Sequence, residues 1–273
     1  MRIVTLCENR LEPCFGLKAS HGLSLYIEYN GHKILYDLGQ DDVYLENAKK
    51  LHVNLKECEK IIISHGHLDH AGGLLYYEDA FEPEKVVVDK RAFMERRRII
   101  GEFQKDIGVS NILMKYKNIG KEKVESKELY KGIWCVSDVK LPDDYKSMEK
   151  GLFIVDDNGN IQEDTFQDEL NLAMEGPEGL YVISGCSHRG AINIIKESMR
   201  VTNKSEVHTF VGGLHLNFAP DEEIKNMLYE LKKFSIKRYV VGHCTGWRTI
   251  SMMREILGEE VEIVYNYVGY EFN

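Results

Sequence analysis

No uninterrupted apolar run in the chain approaches the ~20 residues needed to cross a bilayer, so no membrane-spanning helix is expected. The opening stretch from Met1 to Leu6 meets Cys7, Glu8, Asn9 and Arg10 too early for a secretory signal, and a cytoplasmic location is the expectation. No C-x-x-C pair occurs among Cys7, Cys14, Cys58, Cys135, Cys186 and Cys244, and their scatter gives no paired framework; they read as reduced thiols. Positive charge is in deficit. A formal charge of −9 argues against broad affinity for nucleic acid or an anionic membrane, while leaving room for a basic pocket that takes an anionic small molecule. Low-complexity segments are absent, and neither Gly72-Gly73 nor Gly212-Gly213 carries the Gly-x-x-x-x-Gly-Lys pattern of a phosphate loop.

What remains is an ordinary globular composition, 43% hydrophobic and 29% charged over 273 residues, enough for one large domain or two smaller ones. Leu23 to Glu28 alternates apolar and polar residues, Asn30-Gly31 is a hairpin turn, and His32 to Tyr36 returns as the partner strand. A helix follows with Leu45, Ala48 and Leu51 on one face. Ile61-Ile62-Ile63 reads as a strand buried on both sides and leads into Ser64-His65-Gly66-His67. Further strands are expected at Val86 to Val88, Gly132 to Val136, Phe153 to Val155, Gly179 to Ser184, Val207 to Val211, Arg238 to Val241 and Val261 to Val264. Helices are expected around Ile192, Ile195 and Met199, from Pro220-Asp221 through Leu231, and after Gly246. The stretch from about Arg91 to Lys131 is more charged and reads as helical, then mixed, with Arg96-Arg97-Arg98 on an exposed helix face. Alternating strands and helices imply an α/β layered fold, and His65, His188, His215 and His243 each fall just past an apolar strand, where such folds assemble ligand sites.

Three imidazoles and a carboxylate occupy six residues, His65-Gly66-His67-Leu68-Asp69-His70. These donors suit zinc, iron or manganese. In an extended segment, residues two apart point the same way, so His65 and His67 can grip one ion. A turn into a helix then directs Asp69 and His70 to a second position, and Gly66, Ala71, Gly72 and Gly73 allow close backbone approach. A solvated histidine patch would not concentrate four donors behind an apolar strand in this way.

The segment resembles the H-x-H-x-D-H signature of the metallo-β-lactamase superfamily, and Asp37-Leu38-Gly39 resembles its upstream Asp-x-Gly element. His21-Gly22-Leu23-Ser24, Gly185-Cys186-Ser187-His188, Gly212-Gly213-Leu214-His215 and His243-Cys244-Thr245-Gly246 are similar to the branch that includes the dihydropterin–ribofuranosylaminobenzene phosphate synthases. The resemblance runs along nearly the whole chain. It implies an α/β fold, a metallo-β-lactamase-like αββα sandwich, as one domain over 1–273. It also implies one or two divalent transition metals, zinc first, with His65, His67 and His188 at one position and Asp69, His70 and His243 at the other. Most dinuclear members carry a bridging aspartate on the strand end between His188 and His243. Here that strand ends in Gly213-Leu214-His215, and the next aspartate, Asp221, reads as a helix cap. His215 is thus a replacement ligand, a substrate contact or a general acid/base. A second departure is Val136 to Pro142, where the branch carries a Thr-Gly-Glu-Ile-Pro-Arg-like stretch.

Asp37 reads as a support for a metal-bound histidine rather than a ligand. Cys186 and Cys244, beside expected ligands, read as packing residues in preference to ligands or nucleophiles. His21 and Arg189 are candidate substrate contacts, and the long interval between His70 and His188 implies an inserted subdomain or cap at about 90–150. The reading this supports is a metal-dependent hydrolase acting on a small molecule, with Asp69 and His215 as catalytic groups. The alternatives are a group transferase and a non-enzymatic metal-bound sensing or interaction protein. Neither nucleic acid nor membrane is expected as a partner, and a homo-oligomer is left open.

Overall fold

Asn30 and Gly31 both take positive φ, 51° and 83°, as a two-residue hairpin loop requires, and Tyr29 pairs with His32 across them. The computed structural model describes residues 1–13, 16–77, 82–110, 119–120, 122–143, 145, 150–156 and 158–273; Cys14 and parts of the expected 90–150 insertion lie outside them. The chain divides into two units. One is Met1–Val124 with Gly151–Leu170 and Tyr267–Asn273; the other is Glu125–Lys150 with Asn171–Asn266. The 90–150 segment contributes to both, changing unit after Val124.

The first unit contains a six-stranded sheet in the order Glu271–Phe272, Arg2–Cys7, Ser24–Tyr29, His32–Tyr36, Lys60–Ile62, Val86–Val87. The alternation over Leu23 to Glu28 suggests one solvated face, yet Ser24, Leu25, Tyr26 and Ile27 are all buried. Helix Val43–Lys50 buries Tyr44, Asn47 and Ala48, a face rotated from the expected Leu45–Ala48–Leu51 stripe. Asn47 sets that rotation: its amide nitrogen donates to the Leu6 and Lys18 carbonyls, each at 2.8 Å, and its oxygen accepts from Lys18 N.

The same unit holds an antiparallel four-stranded sheet, Ile161–Glu163, Leu152–Val155, Glu95–Ile100, Phe103–Asp106. This corrects the helix expected from about Arg91. Apart from a short 3-10 helix at Lys90–Phe93, the elements described in the charged stretch are strands, Glu95–Ile100, Phe103–Asp106 and Lys127–Tyr130. Gly101 takes φ 59° in the turn that pairs Ile100 with Phe103.

In the second unit, four strands run parallel in the order Glu262–Tyr265, Arg238–Val241, Val207–Gly212, Gly179–Ser184. Three antiparallel strands, Asn171–Gly176, Ile133–Val136 and Lys127–Tyr130, extend that sheet. Parallel neighbours need crossovers, and helices Ala191–Thr202, Asp221–Lys232 and Trp247–Leu257 supply them in turn. Val182, Phe210 and Val241 of the sheet share a core with Ile194, Ile195, Leu228 and Met253 of the helices. Asp221 does not cap its helix. Pro220 occupies the cap position without a side-chain bond, and Asp221, Glu222 and Glu223 fill the first turn, where they complement the helix dipole. Among the described residues no helix is long and apolar enough to cross a membrane.

Phe210 is fully buried in this core. Phe210→Ala should lower the unfolding free energy by about 3–5 kcal/mol through lost transfer energy and a residual cavity. A urea midpoint indistinguishable from that of the unaltered protein would contradict the packing described.

Candidate metal centre

In the first unit, the chain leaves strand Lys60–Ile62 still extended, and His67 (φ −81°, ψ 147°) forms an isolated bridge with Gly108 before helix Leu68–Ala71 begins. His65 and His67 are therefore on an extended segment, while Asp69 and His70 lie in the helical turn, as the spacing implies. The rings gather: centroids of His65 and His67 are 4.6 Å apart, and those of His65 and His70 4.3 Å. Phe166 packs edge-on against His65 and His67. His65, His67 and His70 are buried, whereas the Asp69 carboxylate stays partly accessible and lies 3.2 Å from His21 Nε2.

A proton count assigns the nitrogens. Asp37 follows strand His32–Tyr36 in left-handed backbone (φ 56°), which aims its carboxylate inward. That carboxylate accepts from Ser64 N and Ser64 Oγ, each at 2.7 Å, and lies 2.7 Å from His70 Nδ1. Ser64 Oγ, with its one hydrogen committed to Asp37, must accept from His65 Nδ1 at 2.9 Å. Both Nδ1 atoms thus carry hydrogen, so in the neutral ring of either residue the lone pair is on Nε2, the tautomer a metal ligand requires. Burial first, then His70 and His67, push the His65 pKa well below the usual imidazole value, which keeps it in the neutral, ligating form.

The loop is clamped by a group the sequence did not single out. Arg96, expected on an exposed helix face, is a fully buried strand residue whose Nε donates to Asp164 at 2.8 Å and whose Nη2 pairs with Asp168 at 2.7 Å. Asp168 in turn accepts from Gly66 N at 2.8 Å, between the two histidines. Gly66 is required: a Cβ there would lie 1.9 Å from the Ala92 carbonyl oxygen and 2.3 Å from Arg96 Nη1. Strand alternation places Arg96 and Arg98 on one face and Arg97 on the other, yet of the three only Arg96 is fully buried, held by its two aspartates. Nothing in the local pattern marks which one.

In the second unit, His188, His215 and His243 follow the C-terminal ends of three adjacent parallel strands and so share one sheet edge. Ser187, His215 and His243 all take left-handed backbone, at φ 59°, 53° and 49°, a conformation uncommon for residues with a Cβ. The loops interlock. Ser187 Oγ donates to the Gly213 carbonyl at 2.6 Å, Gly213 N to the Gly185 carbonyl at 2.8 Å, and Leu214 N to Thr245 Oγ1 at 3.0 Å. A Cβ on Gly213 would meet Cys244 Sγ at 2.4 Å, which explains a glycine at that strand end.

His188 and His215 rings stand 4.1 Å apart. One donor atom each of Cys186, His188 and His215 lie within 4.8 Å of one another, as do those of Cys186, His243 and Cys244. Burial opposes ionisation of Cys244, but its contacts with Cys186 and His215 and the charge of His243 outweigh that and draw its pKa well below the usual thiol value. Burial instead drives Cys58 up to about 12. Arg189 donates through Nε and Nη2 to the Val139 carbonyl, at 3.1 and 2.8 Å, which engages its fork within the unit. Neutral imidazoles, a carboxylate and thiols are the donor set of a divalent transition metal.

A family model described as the metallo-beta-lactamase superfamily matches residues 17–188. The chain belongs to that superfamily, which has enzymatic members and typically binds divalent metals, and its α/β fold is the superfamily's. More narrowly, it is 31% identical over 276 residues to the 7,8-dihydropterin-6-methyl-4-(beta-D-ribofuranosyl)-aminobenzene-5'-phosphate synthase of Methanocaldococcus jannaschii, covering 96% of this chain and 93% of that protein. An uncharacterized protein of the same organism is 30% identical over 256 residues, covering 92% of each. The crystal structure of a metal-dependent hydrolase of the beta-lactamase superfamily matches with a TM-score of 0.83 and 33% identity, over 100% of this chain and 98% of that one.

Asp37→Asn should weaken zinc binding about 10- to 100-fold in a competitive chelator titration, because an amide cannot hold both Ser64 and His70 as the carboxylate does. Arg96→Met leaves Asp164 and Asp168 buried without their counter-charge and should cost about 3–5 kcal/mol in urea unfolding. An unchanged midpoint would show that the clamp adds nothing to stability.

Proposed function

We propose that the chain is a metal-dependent hydrolase acting on an ester-, amide- or phosphoester-type small molecule, with an anionic substrate compatible with a local basic pocket. The observation that carries this reading is the hydrogen-bond chain Asp37–Ser64–His65 with Asp37–His70, which leaves two buried imidazole lone pairs on Nε2. In this reading His65, His67, Asp69, His70, His188 and His243 hold one or two divalent transition metals, zinc first, with iron or manganese as substitutes. When bound, such an ion lowers the pKa of water towards ~7 and supplies a nucleophile at neutral pH.

The remaining work falls to side chains. Asp69 keeps a partly accessible carboxylate beside His21, which suits it to orient a water and take its proton. His21 is more than half exposed and can meet substrate from the solvent side. His215, half-buried and held in left-handed backbone, is the candidate to protonate a leaving group.

Group transfer is the second reading, favoured by the 31%-identical synthase that spans 96% of this chain. Hydrolysis is placed first because Val136 to Pro142 departs from the stretch expected of that branch.

Purified protein should contain at least one equivalent of transition metal, and His67→Ala should abolish turnover across an ester, lactone, thioester and phosphodiester panel. Reaction in ¹⁸O-labelled water then separates the readings: label in the product supports hydrolysis, and an unlabelled condensed product supports transfer. Metal-free protein whose activity survives His67→Ala would sink both.

A further inference from the structure

The second unit offers five soft or borderline donors on one sheet edge, and Cys186 is common to both donor groups. Cys7 and Cys58 are members of the first unit's apolar core, as a packed cysteine should be. Cys186 is buried among polar donors instead, its sulfur within reach of His188 and His215 on one side and of His243 and Cys244 on the other. Ligands at ~2.0–2.3 Å from a shared ion can lie no more than about 4.6 Å apart, so donors within 4.8 Å of one another need only a small closure to bind one.

Charge supplies the second argument. Neutral imidazoles alone leave a divalent ion uncompensated, and no carboxylate occurs from Gly213 to Pro220, after the strand that would carry one. A cysteine two residues before His188 fills that deficit from a neighbouring strand end.

Resting on the metal-enzyme reading, we propose that the Cys186 sulfur is a metal ligand, acting with His188 and His215 as the anionic donor in place of the missing bridging carboxylate. On binding, the Cys186 S–H bond breaks, its proton passes to solvent, and the sulfur lone pair forms the bond to the metal; no electron transfer is involved. As a ligand His215 replaces, in the metal-loaded state, the proton-donor role given it above, and a thiolate tilts selection towards zinc, cobalt or iron(II) and away from magnesium and manganese.

The test loads the full chain with cobalt(II), records the near-ultraviolet sulfur-to-cobalt charge-transfer band, and measures bound cobalt in parallel. The band should be present in the unaltered protein and in Cys244→Ser, and absent from Cys186→Ser that still binds cobalt. Zinc-loaded unaltered protein should show a sulfur scatterer at ~2.3 Å by X-ray absorption, a readout that stands even if Cys186→Ser fails to fold. Cobalt bound without the band, no sulfur around zinc, or a band that survives Cys186→Ser overturns the proposal and leaves the metal-enzyme reading intact. Failure to bind cobalt or zinc at all overturns both.

Discussion

The hydrogen bonds to the Asp37 carboxylate are the constraint on which the first unit's metal-type residues depend. That carboxylate is buried, sits at the end of a central strand in left-handed backbone, and is reached by Ser64 N, Ser64 Oγ and His70 Nδ1. A buried acceptor with several donors is costly to disturb, because removing it strands each donor in turn. Its effect is directional as well as energetic. By consuming the single hydroxyl hydrogen of Ser64, it decides which nitrogen of His65 carries a proton, although the two residues make no direct bond.

The second unit reaches its arrangement by a different route. Three parallel strands end at one edge, and their following loops are drawn together by backbone hydrogen bonds that only close approach permits. Gly212 shows how close: a Cβ there would lie 1.8 Å from the Ser184 carbonyl oxygen. The pair Gly212-Gly213 is therefore a packing device between strand ends, and it places the imidazoles and thiols within reach of one another.

Much of this was legible in the sequence. Period-two patterning and Asn30-Gly31 located the hairpin, and four histidines just past apolar runs located both groups of donors, because strand ends are a local property of the chain. What was not legible depended on distant partners. Arg96 differs from Arg97 and Arg98 through Asp164 and Asp168, about seventy residues on, and no local signal couples them. The helical reading that opened the stretch from about Arg91 failed for a related reason: charged residues are equally compatible with hairpins, and cross-strand pairing decided the outcome. Asn47 displaced the apolar stripe of its helix because it bonds to a neighbouring strand and loop.

The Arg96 clamp bears on where the entropy of ordering is spent. Arg96, Asp164 and Asp168 draw the His65–His67 backbone into place through charges that belong to the protein itself. Confining that loop is then part of folding, so an ion taken up as proposed would meet donors at high effective concentration, with no affinity lost to loop ordering. By linkage, whatever loosens the clamp lowers the fraction of chains competent to bind, and ion occupancy becomes a report on the integrity of a strand that carries no ligand.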